Sequence, residues 1–116
     1  MSKDFLGTAI KRFSERPRLS VEVPEWSAEG APTVVVHFRA PTAALLARAN
    51  REAPNDSVRQ AAMLVAMSVT DADGNRLLLD ADVETLMREV DPAGTARVAD
   101  AILNAGSMDV KAAEKN

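Results

Sequence analysis

The chain has no cysteine and no tyrosine, and only one histidine and one tryptophan. Without cysteine, disulfides, thiolate nucleophiles and cysteine-type zinc sites are excluded. A single histidine offers a transition metal little to bind. Aromatic residues make up 3% of the chain and apolar residues 47%, so any core is assembled from alanine, valine, leucine and methionine. Fourteen basic side chains stand against seventeen acidic ones, a net charge of −3. That balance lacks the basic excess with which a general nucleic-acid binder neutralises phosphates. No apolar run approaches the roughly 20 residues that cross a bilayer, and Asp4, Thr8 and Lys11 interrupt what would be a signal-peptide core. The expected setting is the cytoplasm, with no membrane, nucleic acid or cofactor as partner.

A length of 116 residues suits one hydrophobic core, hence a single domain over 1–116. Phe5, Leu6, Ala9, Ile10 and Phe13 fall on one stripe at helical spacing, which predicts an amphipathic helix over Lys3 to Ser14. Ser2 or Asp4 would cap it and Pro17 would stop it. Leu19, Val21 and Val23 alternate with polar residues, and "TVVVHF" is rich in β-branched side chains. These two segments predict an antiparallel hairpin bounded by Pro24 and Pro32. Thr42 is placed to cap a helix to about Glu52, and Asp56 or Ser57 a second one through Val69. Asp80 is expected to cap a third helix with Val83, Leu86, Met87 and Val90 on one face. Asp91-Pro92 starts a fourth, since proline suits the first helical position. Gly106 is expected to end it near Asn104, with Ser107 opening a short last helix. The resulting class is α+β: mostly helical, about four to six helices, with an N-terminal β-hairpin.

"TDADGNRLLLDADVETL" sets Asp71, Asp73 and Asn75 at alternate positions, as a calcium-binding loop does. Such a loop needs glycine at its sixth position, and counting from Asp71 that place is held by Arg76. The stretch reads instead as a turn at Asp73-Gly74, then "RLLL" as a short buried strand or an extended segment. Asp80, Asp82 and Glu84 lie where a helix dipole favours acids. His37 shares a strand face with Val35 and Arg39 and has no recognisable acid, base or nucleophile beside it. No set of residues suggests an enzyme.

The segment Ala61 to Met67 is seven apolar residues in succession, more than one helical stripe requires. Such a helix is either buried all round or shows part of its surface to a partner. Met63 and Met67, one turn apart with Leu64 between them, would suit an adaptable binding surface. Trp26 is open to two readings, an interface anchor or a cover over the end of the hairpin. Met63, Leu64, Met67 and Trp26 are therefore the candidate partner-binding residues, with no catalytic, cofactor or metal residues.

The order of these segments, with "VEVPEW" and the Asp-Gly turn before "LLLDADVETL" as its most specific parts, resembles the tail assembly chaperones of long-tailed phages, prophages and gene-transfer particles. That resemblance covers nearly the whole chain. It implies a non-catalytic role: coating the tape-measure protein, keeping it soluble, and being absent from the finished particle. It also implies self-association, and recruitment of the tail tube protein through a longer frameshifted form. Glu114-Lys115-Asn116 permits the coding string GAA AAA AAC, on which two tRNAs can re-pair after slipping back one base. The alternative at this stage is a small completion or connector protein that stays in the virion.

Overall fold

The computed structural model describes residues 4–14 and 19–115, with side chains described from Phe5 to Ala105. Helix α1 spans Asp4–Ser14, followed by strand β1 (Leu19–Val23) and a single 3-10 turn (Pro24–Trp26). Strand β2 (Val34–Phe38) leads to helices α2 (Ala43–Glu52) and α3 (Ser57–Ser68). A two-residue strand, β3 (Val69–Thr70), then precedes α4 (Asp82–Arg88) and α5 (Pro92–Lys115). The fold is α+β and mostly helical, with the hairpin near the N-terminus, as the sequence pattern predicts. The cap expected at Ser2 and the stop expected at Pro17 lie outside the described residues.

The hairpin pairs Leu19 with Phe38, Val21 with Val36 and Val23 with Val34. Side chains alternate across a strand, and here that alternation buries Val23, Val36 and Phe38 while Val35 stays exposed. The Ser27 hydroxyl closes the open end. It accepts the Val34 N–H at 2.8 Å and donates to the Val23 carbonyl at 3.0 Å. Strand β3 adds to the far side of β2, with Phe38 opposite Val69, giving the order β1-β2-β3. The chain reaches β3 directly from the end of α3, so the sheet is tied to the helical layer by a continuous backbone.

Helix α3 is the centre of that layer. The Asp56 carboxylate caps it by accepting the Arg59 N–H at 3.0 Å. Ala62, Met63, Leu64, Val65, Ala66 and Ser68 are all buried. Its neighbours α2, α4 and α5 contribute Ala49, Val83 and Leu86, and Val98, Ala99 and Ile102 to the same core. Ala49, Ala62, Ala66 and Ala99 are each at most 3% exposed, and side chains this short permit helices to pack closely.

Two expected boundaries and one expected burial differ. Helix α4 begins at Asp82, not after a cap at Asp80. Asp80 is drawn instead into ion pairs with Arg76 at 2.7 Å and Arg48 at 3.1 Å, while Asp82 accepts the Leu79 N–H at 2.7 Å. The "RLLL" segment is extended and bridges Thr70 through Arg76, but Leu77 and Leu79 point outward, 58% and 68% exposed. Helix α5 runs past Gly106 to Lys115. A glycine costs a helix only about 1 kcal/mol and does not by itself end it. The cap expected at Ser107 involves a side chain outside the described residues.

The turn at Asp73-Gly74 forms as read. The Asp71 carboxylate accepts the Asp73 and Asn75 N–H groups at 2.8 and 2.9 Å, and Gly74 takes φ of 91°. The end of the hairpin is pinned to the start of α5 by a contact distant in sequence. Trp26 Nε1 donates to the Asp91 carbonyl at 3.3 Å. The indole lies over Gly94 so closely that a Cβ there would overlap it. Replacing Gly94 by alanine is expected to lower the unfolding free energy by about 1–3 kcal/mol, the usual cost of overpacking, and to red-shift the emission of Trp26. Gly7→Ala in α1, where a Cβ meets nothing, is the matched control: it should leave the emission of Trp26 unchanged and should not lower stability, since alanine is the better helix former.

Candidate functional site

Helices α2 and α5 both pack on α3, and the space between them is an open groove of about 680 Å³. Its floor is laid by small residues, Ala49, Ala61, Ala96 and Ala99, whose short side chains leave the space unfilled. Its rim is made of larger ones: Leu46 from α2, Val58 from α3, Met87 from α4 and Leu103 from α5. Val58 is 59% exposed, Leu103 42% and Leu46 38%. Water therefore meets a contiguous apolar surface at a place where the fold has no side chains left to cover it.

Asp100 is the one ionisable side chain on the wall. Ser57, Gln60 and Asn50 are polar neighbours, and Gln60 Nε2 is spent on the Ala53 carbonyl at 2.7 Å and the Asn50 side chain at 3.3 Å. Thr95 also lines the groove. It is 5% exposed, and its hydroxyl is buried without a hydrogen-bond partner. One carboxylate among leucines, valines and alanines supplies no acid–base pair and no activated nucleophile. The arrangement suits burial of an apolar partner surface.

The sequence candidates take different places. Leu64 lines the groove, though only 5% exposed. Met63 is buried in the core, also at 5% exposure, and Met67 is half-buried against it; neither is on the groove wall. Trp26 is half-buried and engaged with α5 through Asp91 and Gly94. The rim residues Leu46, Val58, Met87 and Leu103 belong to four separate helices. Only Val58 carried a visible signal, an apolar side chain in the first turn of a helix, two residues after its Asp56 cap. His37 is half-buried on β2 and does not line the groove. Among the described residues no group of three or more acidic or histidine side chains is placed to hold a metal ion, and no helix is long and apolar enough to cross a membrane.

Ion pairs brace the elements that frame the groove. Arg97 grips both oxygens of Glu25 at 2.7 to 3.0 Å, joining α5 to the 3-10 turn. Arg59 on α3 holds Glu84 on α4 at 2.8 Å. The Arg97 hydrogen bonds lower the pKa of Glu25 below its ordinary 4.5, and Arg59 does the same for Glu84. Arg76, then Arg48, lower that of Asp80 below 3.8; the backbone N–H of Asn75 lowers that of Asp71.

No family model, no curated protein and no solved structure matches this chain.

Four carboxylates with lowered folded-state values contribute stability that is present above their unfolded pKa and is lost as pH falls through the folded one. The thermal midpoint is therefore expected to stay level down to about pH 5 and to fall progressively below about pH 4.5. Asp80→Asn should make that fall shallower. A midpoint that rises on acidification would show that these ion pairs are not formed. A second measurement addresses Thr95: T95V removes an orphaned hydroxyl at nearly constant volume and should raise stability by about 1 kcal/mol.

Proposed function

We propose that this protein is a non-catalytic assembly chaperone of the phage-tail kind, which holds amphipathic helical segments of a tape-measure protein in solution until the tail tube forms around them. The observation that carries this reading is the open apolar groove between α2, α3 and α5, with Leu46, Val58 and Leu103 exposed on its rim. A groove walled by helices accepts the apolar face of another helix, read as anchors at i, i+3, i+4 and i+7. Its volume falls in the range of pockets that accept a few side chains, about 300–1,000 Å³, so one copy engages a short stretch of client.

Weak contacts repeated along a long client then add up by avidity. The sequence resemblance supplies the client's identity, and the groove supplies a surface fit for it. A chaperone of this kind needs no chemistry, only a surface that binds and later lets go. The lining, with one carboxylate and no partner for it, agrees with that requirement. Recruitment of the tail tube protein through a longer frameshifted form belongs to the same proposal.

The test is co-expression with the tape-measure protein of the same gene cluster. The expected result is a soluble tape measure that co-purifies with this chain, and loss of that solubility with Val58→Asp while the variant keeps its circular dichroism spectrum. Because Val58 is already mostly exposed, the substitution should change stability by no more than about 0.5 kcal/mol. A tape measure that stays insoluble beside well-folded protein would overturn the reading. Recovery of the chain in purified particles would favour a retained tail component instead.

A further inference from the structure

Among the described residues the groove is not the only apolar surface left open, and helix α1 carries another. Phe5, Leu6 and Ile10 are 71%, 47% and 63% exposed. They lie at the helical spacing that makes one stripe, i, i+1 and i+5. An 11-residue helix has little intrinsic stability in water, so a folded α1 needs its apolar face covered. The groove needs the same, and what it lacks is one amphipathic helix.

Charge specifies the match. Residues 1–18 contain five basic and two acidic side chains, a net +3, and the remainder of the chain contains nine basic and fifteen acidic, a net −6. Lys11 and Arg12 fall in the last turn of α1, beside the apolar stripe. Asp100 stands on the groove wall, and Glu89 and Asp91 precede the Pro92 that starts α5 at the groove's edge. Asp100 and Glu89 have no ion-pair partner among the described residues.

We propose that α1 of one copy docks in the α2–α3–α5 groove of a second copy, its Phe5–Leu6–Ile10 stripe on the alanine floor and its basic last turn toward Asp100. The contact is heterologous, since a helix on one copy meets a groove on the other. It stands on these two surfaces and their charges and does not depend on the identity of any client. A client helix would compete for the same groove.

Sedimentation velocity on the full chain tests this. The wild-type protein is expected to self-associate, with association weakening as salt is raised. Ile10→Asp, which disables the helix, and Leu103→Asp, which disables the groove, should each weaken association by about tenfold or more. Both positions are exposed, and an unchanged circular dichroism spectrum and thermal midpoint would confirm that each variant is folded; Val58→Asp is the second groove variant should Leu103→Asp lose structure. The decisive sample is an equimolar mixture of the two variants. One retains an intact groove and the other an intact helix, so the mixture should form a one-to-one pair that neither forms alone. A monomeric wild type would overturn the proposal, placing α1 elsewhere or on its own groove. Loss of association with Ile10→Asp but not with the groove variants would also overturn it, as helix-to-helix pairing does not use the groove. A mixture that stays monomeric would do the same.

Discussion

The structure depends on how close other helices come to α3. That helix is buried from Ala62 to Ala66 and at Ser68, and alanines from it and its neighbours make up much of the core there. Burial of apolar surface drives the packing, at roughly 25 cal/mol per Å², but alanine carries little of that surface. Larger side chains set between the crossings, Val65, Val98 and Ile102, supply it. Short side chains bring the backbones together and longer ones fill the gaps that remain. With four aromatic residues in the chain, no single bulky group could do both.

The same choice produces the groove. Where α2 and α5 diverge from α3, alanines continue along the floor and no large side chain fills the opening. The apolar surface is therefore a direct result of the way the core is built, extended to the outside. The ion pair Arg97–Glu25 ties α5 to the 3-10 turn, and Arg59–Glu84 ties α3 to α4. Each is a surface pair of small individual worth. The proposed client contact and the proposed contact between copies both follow from a surface that the fold cannot close by itself.

Much of the fold was legible where the signal is local. The cap and apolar run of α3, the alternation of β1, the turn at Asp73-Gly74 and the start of α5 at Asp91-Pro92 all depend on neighbours within a few residues. Strand β3 was not legible, because two residues pair only once α3 has carried them beside Phe38. Asp80 was misplaced for a similar reason: its partner Arg48 is 32 residues away in sequence. The candidate site was the least readable. Met63 and Met67 attracted notice as residue types suited to binding, yet burial is decided by what packs against them. The groove is a relation among four helices, and no short window of sequence contains it.

An alanine-floored scaffold also directs how such a protein can diverge. At a crossing the only smaller residue is glycine, which costs a helix about 1 kcal/mol, and any larger one forces the helices apart. Substitutions are thereby channelled away from the interior and onto Leu46, Val58, Leu103 and the exposed stripe of α1, which have room to vary. Binding preference is free to drift while the frame that displays it stays fixed. Two descendants of one ancestor could accept quite different helices and still superimpose.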